Sequence, residues 1–401
     1  MTNKRILFLP IGLIFCLLPL YAQRKEISQV RQNLKAGSNL PQSEQTMMNL
    51  LKDSANHCNT KFWLLLFETV KKQYEQANEK LYLKQQFDTS HLFIPARKLF
   101  LVLEGLDSID AQLHKKGEVK PRYRKKHSSY LKTYRPNIYN GGLFFVRKQN
   151  FPQAYDFFDT YIDCAQQPLF QSYRFMETDT LIPHAAYMTV YCGYKQGDVE
   201  KTLKYVDLAQ KDTANLNYLY QYLAEIYKIK GDTATYISTL QKGFEQYPLS
   251  LYFFPRLFDY WMKENKNHEA LKLCDKALAS DSTSIVFSFA KSSVLLRLKR
   301  YDECIGICDD LISQNDTIAD AYLNAGLAYY NQALEIEKSS LSKKRRQQTL
   351  KLYKCAMPYL QRFRLLVPEK KNIWGMPLYT IYLNLNMGKE FEEMDKLMKK
   401  E

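Results

Sequence analysis

The chain has 401 residues, of which 46% are hydrophobic and 25% charged, and its formal net charge is +15. That apolar content is ample for a continuous core, and beyond the first segment the chain is too polar for a membrane-embedded protein. Thirty tyrosines against three tryptophans suit helical repeats, where tyrosine serves both as core wedge and as groove lining.

Residues 1–22 stand apart. Lys4 and Arg5 form a basic start, Ile6 to Leu20 is almost wholly apolar, and Leu20-Tyr21-Ala22 ends on a small residue. The pattern predicts a secretory leader cleaved after Ala22. A retained anchor is the alternative, but Pro10 and Pro19 interrupt a stretch short of the about 20 residues that a span needs. Phe15 before Cys16 argues against lipid attachment, which needs a small residue there. The expectation is an exported chain with no membrane span after leader removal, periplasmic or associated with the outer envelope rather than fully secreted.

Losing Lys4 and Arg5 takes the charge from +15 to +13. Export disfavours nucleic acid as a partner and leaves acidic proteins, anionic glycans or lipid headgroups. Plain solubility is the simpler account of the surplus. Without Cys16, seven cysteines remain: Cys58, Cys164, Cys192, Cys274, Cys304, Cys308 and Cys355. An oxidising compartment permits disulfides, and Cys274 with Cys304 is the pair most worth testing. Several of the seven fall on helix faces that want small core residues, where a free thiol acts as a small hydrophobe.

From residue 23 to 134 the pattern is helical without a visible period. Lys61 to Tyr82 reads as one helix, with Trp63, Leu64, Phe67, Val70 and Tyr74 on one stripe. His91 to Gln112 reads as another, with Asp88, Thr89 and Ser90 as N-cap candidates. These look like degenerate repeats ahead of a regular array. Lys115, Lys116, Lys120, Arg122, Arg124, Lys125 and Lys126 then make a basic connecting loop, or a docking patch for an acidic partner.

The array starts near residue 135, with pairs expected near 135–166, 183–216, 217–250, 251–284, 285–318, 319–369 and 372–400. Its evidence is a ladder of residues set 34 apart. Thr202, Tyr236, Ala270 and Cys304 form one rail; Val190, Ala224, Phe258, Ser292 and Gly326 a second; Ala186, Tyr220, Phe254, Ser288 and Tyr322 a third. A period of this length kept through two helices per unit marks a helix-turn-helix solenoid. Turns fall at Gly197-Asp198, Gly231-Asp232, Asn265-Lys266 and Lys299-Arg300. An aromatic-rich insertion lies around Gln167 to Thr180. A second, Ala333 to Leu350, reads as extended helices with a basic tip at Lys338, Lys343, Lys344, Arg345 and Arg346.

These residues resemble the tetratricopeptide repeat family. The clearest unit holds Tyr220, Leu223-Ala224, Tyr227, Gly231-Asp232, Leu240, Gly243 and Pro248, and Tyr194-Lys195-Gln196-Gly197-Asp198 is similar to the family's inter-helix turn. The likeness covers about Asn137 to Met398 and departs from the pattern at Val190, Phe258, Thr202, Tyr236 and Ser288. It implies an all-α, right-handed α-solenoid of helix-turn-helix repeats and a protein-interaction scaffold.

In such an array the first helix of each pair lines an inner groove. Projecting the period places Tyr139, Leu143, Arg147, His184, Tyr187, Tyr191, Tyr194, Lys195, Tyr218, Gln221, Glu225, Lys228, Asp259, Lys263 and Arg297 there. Tyrosine with basic side chains suits peptides that carry acidic groups. The histidines are isolated, and Cys304 with Cys308 lacks further ligands, so no metal, cofactor or catalytic residue is expected. The expected function is an exported, non-catalytic scaffold for a protein or peptide partner. The alternative is a module that binds envelope glycan or another anionic surface.

Overall fold

The structure, a computed structural model, describes residues 11–86, 88–112, 121–339 and 342–399, without the side chains of 11–22 and 339. The first residues of the expected leader lie outside that range, as do Lys115, Lys116 and Lys120 of the basic loop. The described residues form helices joined by turns, with no strand among them. The chain divides into two compact units between Gly231 and Asp232. No helix among the described residues is long and apolar enough to cross a membrane.

The first unit holds α1 (Ile11–Ala36), α2 (Leu40–Lys52), α3 (Ser54–His57), α4 (Thr60–Tyr82), α5 (Ser90–Gln112), α6 (Arg124–Lys132), α7 (Arg135–Arg147), α8 (Phe151–Gln166), α9 (Phe175–Thr178), α10 (Ile182–Gln196), α11 (Val199–Leu203), α12 (Val206–Ala209) and α13 (Leu216–Lys230). Neighbours in sequence are neighbours in space: α4 packs on α5, α5 on α7 and α8, α8 on α10, and α10 on α13. One core runs unbroken from Val30 through Leu103 and Phe158 to Leu223. The sequence shows its period only from about residue 135 onward. The core does not break at that point, because Ala96, Leu99 and Phe100 of α5 lie in the same apolar cluster as Phe157 and Phe158 of α8.

The second unit holds α14 (Thr233–Gln246), α15 (Phe253–Lys263), α16 (Asn267–Ser280), α17 (Ile285–Arg297), α18 (Tyr301–Gln314), α19 (Ala319–Ser339), α20 (Lys343–Leu366), α21 (Lys371–Asn384) and α22 (Gly388–Met398). Each helix packs on the next from α14 to α22, the packing of an all-α solenoid. Backbone conformation shows the period directly. Gly197, Gly231, Asn265 and Lys299 all take left-handed φ, at 66°, 77°, 54° and 61°. Each ends a first helix and turns the chain into the second. The next position in the series, Ala333, is helical, because α19 runs on through it.

The rails are buried where the pairs meet. Ala224, Ala270 and Cys304 have no exposed surface, and Thr202 satisfies its buried hydroxyl by donating to the Asp198 carbonyl at 2.6 Å. Gly326 faces Leu360 so closely that an added Cβ would stand 2.7 Å from its Cγ. Gly326→Leu is therefore expected to overpack the α19–α20 contact and lower stability by about 1–3 kcal/mol, read as a reduced urea midpoint. An unchanged midpoint would show that the two helices do not meet there.

The insertion between α8 and α10 is a strap tied down by one arginine. Arg135, at the start of α7, is 5% exposed and pairs with Asp179 at the far end of the strap. Its guanidinium lies 3.8 Å from the Tyr161 ring centroid and 4.3 Å from that of Phe175. Phe175 stacks on Tyr173 at 5.3 Å, and Lys132 Nζ sits 4.8 Å over Tyr173. The result is a stack of two cations and three rings, in which each cation gains from the ring faces beside it. Phe170 of the strap, wholly buried, packs on Phe100 of α5.

All seven expected thiols are free, including Cys274 and Cys304. Burial pushes Cys192 and Cys274 up to about 12, which keeps them protonated and unreactive.

Candidate functional site: a cleft on the first helices of three pairs

Three consecutive first helices of the second unit, α15, α17 and α19, form a cleft of about 500 Å³. Its wall repeats the sequence period. Asp259, Met262 and Lys263 come from the end of α15; Ser293, Leu296 and Arg297 stand at the matching positions of α17. Phe258, Met262 and Leu296 give an apolar floor, and Asn324 of α19 closes one side. The expected groove residues Asp259, Lys263 and Arg297 thus line one cavity.

The polar groups there are unevenly committed. Arg297 Nη1 donates to the Met262 carbonyl at 3.0 Å, placing a cation on the carbonyl end of α15. Lys263 and Asp259 are exposed and have no ion pair or side-chain hydrogen bond among the described residues. Asn324, buried, donates from its amide nitrogen to Ser292 Oγ at 2.9 Å and Ser293 Oγ at 3.0 Å. Both its N–H groups are spent, so it offers the cleft its carbonyl oxygen. The cleft can hold a carboxylate between Lys263 and Arg297, and can take N–H groups at Asp259 and Asn324.

The first unit carries the tyrosine-rich part of the expected groove. Tyr139 and His184 share a hydrogen bond, Oη to Nδ1, of 2.7 Å. His184 lies 5.9 Å from Tyr187, ring to ring. Tyr222 then gathers the rest, with centroids 6.2 Å from Tyr187, 5.5 Å from Tyr191 and 4.8 Å from Tyr194. Lys195 Nζ hovers 5.6 Å from Tyr191 and 5.8 Å from Tyr194. Burial, aided by the hydroxyl of Tyr222, raises the Tyr187 phenol well above its usual range.

This part of the expectation needs adjustment. Tyr187 is only 8% exposed, so it packs between helices instead of facing a groove. Gln221 ties to Asn217 on its own helix at 3.0 Å. Arg147, Tyr218 and Lys228 are exposed and stand outside the ring cluster, Tyr218 with 53% of its surface in solvent. Leu143 and Glu225 are half-buried. The residue that sequence reasoning missed is Tyr222. It lies one turn after Tyr218, and that spacing of four was the available signal.

A further cleft of about 610 Å³ lies under the strap, lined by Lys132, Arg135, Tyr139, Tyr173, Phe175 and Asp179 among others. Its carboxylate is already used. Asp179 accepts from Tyr161 Oη at 2.6 Å, from the Leu181 N–H at 2.9 Å and from Arg135. No group of three His, Cys, Asp or Glu residues among the described residues could hold a metal ion.

No protein-family profile matches this chain, and no curated protein does. Among solved structures, it is similar to the C-terminal part of a TPR repeat-containing protein from Cytophaga hutchinsonii. The identity is 13% and the TM-score 0.42, over 64% of this chain and 93% of that one. Yeast Tom70 is similar at 13% identity and a TM-score of 0.27, over 94% of this chain and 91% of that one. The TPR domain of P58(IPK) is similar at 11% identity and a TM-score of 0.26, over 88% and 98%. Superpositions this loose leave the functional argument to the residues of the cleft itself.

Proposed function

We propose that this chain is an exported scaffold, without catalysis of its own, that captures an acidic segment of a partner protein in the α15–α17–α19 cleft. The observation that carries this reading is the pair Lys263 and Arg297. They are matching positions of successive helices, both exposed, on the rim of one cavity with an apolar floor. Spacing two cations by one repeat suits an extended segment that crosses the helices and presents carboxylates at intervals. Half-buried Phe258, Met262 and Leu296 supply area for an apolar side chain between those carboxylates. Export rests on the leader-like run of residues 1–22, and the mature N-terminus would report it.

Lys263→Glu with Arg297→Glu is expected to abolish partner capture in a cross-linking pull-down while helicity by circular dichroism stays unchanged. A photo-reactive residue placed at Met262 should give protein adducts in cells. Full capture by the doubly reversed variant would end the reading. Adducts to glycan alone, surviving high salt, would replace it with an anionic-glycan module.

A further inference from the structure

Helices α19 and α20 are 21 and 24 residues long, against 14 in α16 and α18. The extra turns extend a hairpin whose buried core ends at Ala333 on one helix and Tyr353 on the other. Beyond that core the composition of α20 changes character. Its sequence, KKRRQQTLKLYKCAMPYLQRFRLL, holds eight lysines and arginines and no acidic residue. Arg362 pairs with Asp316 and Arg364 with Glu393, so the cations near its end are accounted for. Arg345 and Arg346 line a cavity with Ile336 and Glu337 on the side of α20 that faces α19.

The other four, Lys343, Lys344, Lys351 and Lys354, are exposed. None has an ion pair or side-chain hydrogen bond among the described residues. At about 100° per residue they fall within one outward arc of roughly 100°. Lys343 and Lys354 lie nearly in line, as do Lys344 and Lys351, so the arc becomes a stripe about 16 Å long. Tyr353, Ala356 and Leu360 occupy the opposite, buried side. Two of the stripe's cations, Lys343 and Lys344, stand in the first turn of α20, where the helix dipole disfavours positive charge. Such a stripe works against the stability of its own helix and is explained by what it meets.

We infer that this stripe is a second docking surface, and that its occupant is an acidic segment of a partner protein. Three features select that occupant. The arc carries no aromatic ring on which an unpaired base could stack. The exposed Leu365 shares the stripe's direction but lies about 16 Å further along the helix than Lys354, so within the stripe itself a lipid bilayer would gain no inserted apolar side chain. All four cations are lysines, flexible point charges suited to scattered carboxylates, whereas phosphate recognition favours the rigid fork of arginine. The inference rests on the proposed scaffold function for its class of partner, but its surface is separate from the α15–α17–α19 cleft.

The test uses the full chain and a short fluorescent oligoglutamate peptide, read by anisotropy across a salt series. Replacing Lys343, Lys344, Lys351 and Lys354 by glutamate is expected to weaken binding roughly tenfold or more and flatten its salt dependence. Replacing them by glutamine should give an intermediate loss. One control, glutamate at Lys25, Lys211, Lys230 and Lys242, should bind as the parent; the cleft variant, Lys263→Glu with Arg297→Glu, is expected to lose only the cleft's share of binding and to keep the stripe-dependent part. Parent-like binding by the stripe variant would overturn the inference. Equal loss in the four-lysine control would also overturn it, by showing that only net charge matters. Loss confined to the cleft variant would remove the stripe and leave the cleft standing. Tighter stripe-dependent binding of duplex DNA or of phosphatidylserine vesicles than of oligoglutamate would assign the surface to phosphates and end the proposal.

Discussion

Arg135→Met is expected to lower the stability of the first unit by about 3 kcal/mol and to loosen the strap. The arginine is nearly fully buried, pairs with Asp179, donates to the Tyr161 carbonyl at 3.1 Å, and lies between two ring faces. Methionine keeps much of the stem's packing and deletes the charge. What remains is a carboxylate 12% exposed, held by Tyr161 Oη and the Leu181 N–H alone. Burial works to raise the Asp179 carboxyl, but the bonds from Tyr161 and Arg135 outweigh it and hold the group low. Its contribution is therefore present at neutral pH and lost as pH falls through its folded value; without Arg135 that loss begins at higher pH. Urea denaturation would give the first number. Faster hydrogen exchange between residues 168 and 179 would give the second. A double variant with Asp179→Asn should recover part of the loss, because the stranded charge goes with it. Additive losses in the two single variants would show that the pair is not coupled.

Glu104→Gln is expected to stabilise the chain at alkaline pH and to do little in mild acid. Glu104 lies on α5 with one carboxyl oxygen buried and unpartnered. Burial pushes its pKa up to about 8 from 4.5, and the carboxylates of Asp163 on α8 and Asp107 on α5 push the same way. Asp107 is itself paired with Arg124 of α6 at 2.7 Å. Because the folded pKa is the higher one, the fold takes up a proton that the unfolded chain releases. Stability is fully present below about pH 4.5, declines as pH rises towards 8, and is flat above. At about 1.4 kcal/mol per unit, the decline is on the order of 4–5 kcal/mol. Glutamine cannot ionise, so that slope should vanish from melting curves recorded at pH 5, 7 and 9. Parallel curves for parent and variant would show that the carboxyl is hydrated in the folded chain.

What the sequence disclosed and what it hid follow from how far apart the interacting residues lie. A period of 34 reports contacts between neighbouring repeats, and the left-handed turns at Gly197, Gly231, Asn265 and Lys299 are its backbone counterpart. The expected groove residues Asp259, Lys263 and Arg297 were legible for the same reason, since each occupies a repeated position. The ion pair of Arg135 with Asp179 spans an insertion that has no period, so no pattern announced it. The shared core of α5 and α8 was hidden likewise, because α5 carries no repeat signature. Tyr187 was misplaced by a finer effect. A helix face has no sharp border, and Tyr222 from α13 covers the ring that the projection had turned outward.

The long α19–α20 hairpin has a bearing on how such a chain can diversify. Its distal turns contribute nothing to the apolar cluster that ends at Ala333 and Tyr353. Beyond Glu335, which ties α19 to Lys299 and Tyr301, helical turns can be added or removed in matched pairs while the repeat stack behind them keeps its contacts, so reach and charge can change on the same foundation.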